Sequence, residues 1–146
     1  MDLWAQFDHI LQNIGIIAGL LFTAVSLRAE TKTRQIANML AVTQNHRDIW
    51  QEIFRRPELQ RVLDVNADLE QRPITREEEI FVNLVILHLN SVFQAMKDKL
   101  IVKPEGLQKD VGSFFTLPIP KAVWNEMKVL HEDDFIKFVE SCWIKR

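Results

Sequence analysis

The chain has almost nothing with which to staple itself. Its one cysteine, Cys142, excludes an internal disulfide framework and any zinc site built on several cysteines. Glycine occurs four times and proline five times in 146 residues, and most of the prolines stand where a segment would begin. That scarcity fits a mostly helical chain, because both residues interrupt helices. Basic charge is not in excess. Eighteen Lys and Arg against twenty Asp and Glu give a net charge of -2, which argues against a general nucleic-acid coat protein. The phosphate-cradling GxxxxGK loop, the GxSxG elbow and the GxGxxG fingerprint are absent. So is an arginine four to six residues before His46, His88 or His131, the spacing of some small helical ribonucleases. No alternating strand pattern and no internal repeat is visible.

What is present is apolar residue in quantity. Hydrophobic residues make up 47% of the chain and charged ones 26%, enough to build a core and to exclude wholesale disorder. The longest uncharged stretch is Ile10 to Leu27, ILQNIGIIAGLLFTAVSL. As a helix it spans about 27 Å, close to the roughly 30 Å of a bilayer core. Trp4 and Phe7 precede it in the manner of an interfacial aromatic belt. Arg28, Lys32 and Arg34 follow it, whereas Asp2 and Asp8 lie before it. The positive-inside rule then predicts a single span, N-terminus out and C-terminus in the cytoplasm. An acidic start argues against a cleaved signal peptide, which wants a basic one. A buried helix of a soluble fold is the competing reading, because the strictly apolar part begins only at Ile14.

Within the stretch, Gly15 and Gly19 form a GxxxG, and Thr23 and Ser26 extend the same stripe. Small residues at this spacing let two membrane helices approach closely, which predicts self-association. No glycine or proline interrupts Leu20 to Arg56, so the helix is expected to run on into an amphipathic segment over Thr33 to Phe54. Its apolar residues are Ile36, Met39, Leu40, Ile49, Trp50, Ile53 and Phe54. Pro57 should stop it and open a short helix to about Val65. Asn66 to Pro73 reads as a polar connection. Thr75-Arg76-Glu77-Glu78 reads as a capping box that starts a helix to about Leu100. That helix is nearly all apolar between Ile80 and Leu89 and is expected at the centre of the core. Further helices are expected from Pro104 to Phe115, from Pro120 to His131, and from Asp133 through Ile144. The expected fold is all-α: a membrane segment over residues 1–28, then a cytoplasmic helical bundle over 29–146.

The order of these features resembles a broad bacterial family of small, single-pass, all-helical membrane proteins without assigned function. The resemblance rests on AVSLRAETKTRQIANMLAVTQNHRDIW, RRPELQRVL, FVNLVILHLNSVFQAMKDKLI and PKAVWNEMKVLHEDDFIKFVE. Lys99 stands where the family pattern usually has glycine. The resemblance implies architecture and a location in the bacterial inner membrane. It implies no catalytic residue.

Chemistry is sparse. His46 falls in register with Met39, Thr43, Trp50 and Ile53, and His88 with Phe81, Leu84, Val85 and Val92, so both are expected to face the core. Such a pair could bind a ligand or exchange protons near neutral pH. A metal would need a third ligand such as Asp48 or Glu52, and no HExxH spacing supplies one. The blander alternative is two core histidines hydrogen-bonded to backbone or to Asn45 and Asn83. Arg55, Arg56 and Arg61 could hold a phosphate-bearing ligand, against the simpler reading of a solvated face. Cys142, Trp50, Trp124 and Trp143 read as packing residues. No metal or other cofactor is implied. The expectation is a membrane-tethered, non-enzymatic module that oligomerises or binds an as yet unspecified protein partner. The alternative is a membrane-associated effector or sensor, for example in phage defence, whose bundle binds a nucleotide or nucleic acid.

Overall fold

The computed structural model describes the backbone of residues 3–143 and the side chains of residues 15–143. Trp4, Phe7 and Ile10 to Ile14 therefore have side chains outside the described residues, and Asp2 and Ile144 lie outside them altogether. The described chain is helical throughout, with no strand among the described residues. Helix α1 runs unbroken over Leu3–Arg55, 53 residues or about 80 Å. It ends where the sequence says it must. Arg56, before Pro57, is pushed out of helical geometry (φ -127°, ψ 85°), and Pro57 opens a 3-10 turn over Pro57–Leu63.

Helix α2, Arg76–Lys97, starts on the expected capping box. The Glu78 backbone N–H donates to Thr75 Oγ1 at 3.3 Å, and the Thr75 N–H donates to Glu78 Oε2 at 2.8 Å. Its C-terminus is closed by a Schellman motif. The Lys99 N–H donates to the Met96 carbonyl and the Leu100 N–H to the Ala95 carbonyl. Lys99 carries the positive φ, 57°, that such a turn requires. A glycine would adopt that conformation without the Cβ clash. Lys99→Gly is expected to stabilise the fold by about 0.5–1 kcal/mol, part of the relieved strain being offset by a more flexible unfolded chain. A urea-denaturation midpoint would register it.

Helix α3 is Leu107–Phe115, α4 is Pro118–Met127 followed by a 3-10 turn over Lys128–Leu130, and α5 is Asp133–Ser141. Two starts differ from expectation. Pro104 does not open α3. Gly106 takes the left-handed conformation (φ 80°) and caps the helix instead, its carbonyl accepting from the Asp110 N–H. Pro118 rather than Pro120 begins α4. Leu117 is extended before it, and Pro120 falls within the first turn, where no helical N–H is needed.

The core gathers one face of α2 (Phe81, Val82, Ile86, Leu89) with Ile53, Leu59, Val62, Val111, Phe115, Trp124, Phe135 and Val139. Trp124 sits at its centre, touching Phe115 and Phe135 by their rings. Among the described residues α2 alone is long and apolar enough to cross a membrane, with a mean hydropathy of 1.4 over its best window. One face of it (Phe81, Val82, Ile86, Leu89 and Val92) is buried against the other helices, and its start is ion-paired through Glu78. The expectation that its whole apolar run is buried is corrected: Ile80, Leu84 and Leu87 face outward. A single helix face can meet the core, and the opposite face has no element over it.

α1 divides in two. Every described side chain from Gly15 to Arg34 is exposed. Burial begins at Gln35, and Ile53 reaches the core, with Ile49 and Trp50 packed against it. The expected single apolar face over Thr33 to Phe54 is only partly used, since Ile36, Leu40 and Phe54 are exposed. α2 runs antiparallel along the second half of α1. Gln35 and Asn38 meet the turn after α2, and His46 meets His88 one stretch further along.

Candidate functional site

The two histidines come together. Their ring centroids are 5.6 Å apart, with the planes inclined at 40°. His46 also lies 5.9 Å from the Trp50 ring. The expectation that both face the core is corrected for His46, which is exposed at the edge of the α1 contact stripe; His88 is half-buried. The pair helps line a 110 Å³ hollow walled also by Trp50, Val85, Leu89, Phe114 and Phe115. A second hollow of 180 Å³ adjoins it along Met39, Val42 and Pro104. Asp110, from α3, borders both. Apolar walls with a few polar groups at the mouth suit a small, largely apolar guest rather than a charged one.

Burial pulls the His88 pKa below its ordinary value of 6.5, and the positive charge of a protonated His46 pulls the same way. Burial alone lowers His131, which stacks on Trp124. The unfolded chain therefore binds more protons than the folded one between the lowered folded value and 6.5. Stability is complete above 6.5, falls as the pH drops through it, and levels off below the folded value. Chemical denaturation of the full chain in detergent, between about pH 7.5 and pH 5.5, should show a falling midpoint. His88→Leu should shrink that fall, leaving the part due to His131.

Among the described residues no group of three or more His, Cys, Asp and Glu side chains could hold a metal ion. The two carboxylates weighed as a missing third ligand are engaged elsewhere. Asp48 accepts from Gln44 at 2.9 Å, and Glu52 pairs with Arg55 at 3.1 Å. Neither Asn45 nor Asn83 is hydrogen-bonded to these imidazoles among the described residues. Cys142 is only half-buried, because α5 ends at the surface, and its Sγ–H donates to the Phe138 carbonyl at 3.2 Å.

The arginines separate. Arg55 and Arg56 lie at the surface, paired with Glu52 and Glu58 at 3.1 and 2.9 Å. Arg61 turns inward. Its Nη1 donates to both Glu78 oxygens, at 3.1 and 2.9 Å, and to the Pro73 carbonyl. Its Nη2 donates to the carbonyls of Asp68 and Arg72. The Arg61 side chain is 11% exposed and that of Glu78 1%. One guanidinium thus ties the 3-10 turn, the 64–75 connection and the start of α2 together. It is spent on the fold, and the three arginines do not form an open anion site. Sequence reasoning named both residues but left Arg61 between a phosphate ligand and a solvated face, and it is neither. The capping-box glutamate leading an apolar helix was the signal that a cation had to come to it.

On the first half of α1, a side chain added at Gly15 or Gly19 would meet only open space. Thr23 Oγ1 donates to the Gly19 carbonyl at 2.8 Å, and Ser26 is exposed. The four positions share a stripe that nothing among the described residues covers. Comparison with protein-family models, with curated proteins and with solved structures finds no match.

Proposed function

We propose that the protein is a membrane-tethered, non-enzymatic helical module that works by self-association and by presenting its folded half to a protein partner. The observation that carries this reading is the exposure of the apolar half of α1. Ile16, Ile17, Leu20, Leu21, Phe22, Val25 and Leu27 project over about two thirds of the helix circumference, Phe22 at 74% exposure, and the Gly15, Gly19, Thr23 and Ser26 stripe fills the rest. An uncharged helix with so broad an apolar surface and no other element over it among the described residues suits an apolar solvent. A soluble core helix, the competing reading, would be covered by the rest of the chain, and this segment is not. Arg28, Lys32 and Arg34 at its exit support a cytoplasmic location for everything beyond it, at a bacterial inner membrane given the resemblance in feature order.

The nucleotide- or nucleic-acid-binding alternative has less behind it. The cluster named for it, Arg55, Arg56 and Arg61, is engaged with carboxylates. In the favoured reading the Gly15, Gly19, Thr23 and Ser26 stripe joins copies by close backbone packing, the force left once lipid removes the hydrophobic drive. Joined copies would raise avidity for a weakly bound partner without new contacts. Gly19→Ile adds apolar bulk to this stripe. It should lower oligomer yield on crosslinking in native membranes while leaving insertion intact. Equal yields from the two proteins would move any assembly to the outward face of α2 or elsewhere in the folded half.

A further inference from the structure

The antiparallel course of α2 puts its C-terminal turn at the end of the folded half nearest the apolar half of α1. Gln35 Nε2 donates to the Lys99 carbonyl at 3.0 Å, and Asn38 Nδ2 to the Leu100 carbonyl at 3.2 Å. From there the chain reverses, and α3 leads away again past His46 toward Trp50. Residues 98–106 are therefore the underside of the packed helices. Eight residues of helix separate Leu27 from Gln35, about 12 Å. The interfacial zone outside a hydrocarbon core is roughly 5–8 Å deep on each side. The turn thus hangs just above the headgroups, within reach of a long side chain, and helix tilt brings it closer.

The residues there suit that surface. Leu100 and Val102 are exposed, Val102 at 69%, on either side of the buried Ile101. Lys99 and Lys103 flank them and are exposed. Arg28 stands two helical turns from Gln35 on the same face of α1, and Lys32 lies between, the three sharing one shallow hollow. Over residues 28–34 and 97–105 there are six basic residues against three acidic, in a chain whose acidic residues outnumber its basic ones. Arg34 is taken by Glu30 and Lys97 by Asp134. Among the described residues Arg28, Lys32, Lys99 and Lys103 hold no ion pair. Asp98 and Glu105 interrupt the basic run. The acidic start of α5 lies a turn further from the apolar half, where Asp134 meets Lys97 and Glu132 meets Gln94.

We propose that the 98–106 turn, with Arg28 and Lys32 beside it, is a second contact with the bilayer, its lysines on phospholipid phosphates and Leu100 and Val102 at the headgroup boundary. Charged heads at the phosphate level over apolar stems are what such an interface selects. The contact fixes the tilt of α1, and of the folded half docked on it, relative to the bilayer. The proposal rests on the membrane reading of α1 and adds an orientation to it.

The test uses the full chain with Cys142→Ser, which keeps a donor for the Phe138 carbonyl. A polarity-sensitive fluorophore is placed at Val102→Cys, at Leu21→Cys, or at Phe54→Cys. Phe54 is 82% exposed and lies about 40 Å beyond Leu27 along α1. Each protein is reconstituted in phosphatidylcholine–phosphatidylglycerol vesicles carrying a nitroxide at the headgroup or at mid-chain. The mid-chain nitroxide should quench the Leu21 label. The headgroup nitroxide should quench the Val102 label several-fold more than the Phe54 label, and Lys99→Gln with Lys103→Gln should reduce that difference. Equal quenching at Val102 and Phe54, with Leu21 quenched normally, would overturn the contact and leave the tether standing. Val102 quenching untouched by the lysine changes would overturn the lysine–phosphate part. A Leu21 label that no lipid nitroxide reaches would overturn the membrane reading, and this contact with it.

Discussion

Arg61→Ala should destabilise the folded half by about 3–5 kcal/mol. Glu78 is buried, and it cannot be released to solvent without opening the capping box that starts α2. With Arg61 gone, its carboxylate keeps only the Thr75 N–H at 2.8 Å as partner. A buried charge left with one hydrogen bond is under-solvated and drags the helix start open, which costs stability. The carbonyls of Asp68, Arg72 and Pro73 lose a donor at the same time, so the 64–75 connection loosens with it. Chemical denaturation of the full chain in detergent, followed by circular dichroism, measures the loss. Arg55→Ala is the reference. Its pair with Glu52 is solvent-exposed and worth roughly 0–1 kcal/mol. Replacing Arg61 and Glu78 together by methionine should cost far less than Arg61→Ala alone, because no buried charge remains. If Arg61→Ala behaved like Arg55→Ala, Arg61 would be a surface residue and the clamp would not exist.

Leu21→Arg should cost about 2.5–3.5 kcal/mol of membrane insertion, the range for an arginine at the centre of a spanning helix. Leu21 is exposed and makes no contact with the folded half, so the substitution leaves the core intact. The same change at Leu40, exposed but about 20 Å beyond Leu27 on the docked half of α1, should leave insertion unchanged. The fraction of each protein retained in alkali-washed membranes separates the two. Equal retention for Leu21→Arg and the parent chain would mean that the apolar half of α1 is not in lipid.

Local rules carried much of the fold. The absence of glycine and proline foretold an unbroken α1, and Pro57 foretold its end, because both act through the backbone of one residue. The capping box was legible for the same reason. What failed was whatever depended on a partner far away in sequence. Arg61 and Glu78 lie 17 residues apart, and each shows its charge in the sequence but not its direction. His46 shares its helical register with both core and surface residues, so periodicity alone could not place it at the edge of the contact stripe. Gly106 displaced Pro104 as the start of α3, because a left-handed cap is compatible with either residue leading the helix. The outward stripe of Ile80, Leu84 and Leu87 was invisible in a run that is apolar on both faces. For the candidate site, sequence named both histidines, while their meeting over one cavity depended on the antiparallel docking of α2 on α1.

The central claim is that lipid surrounds the exposed apolar half of α1. Alkaline carbonate extraction of membranes from cells making the full-length chain tests it most directly. The intact chain should stay in the membrane pellet with integral proteins and leave it only with detergent. Recovery of the intact, folded chain in the carbonate supernatant would contradict the claim.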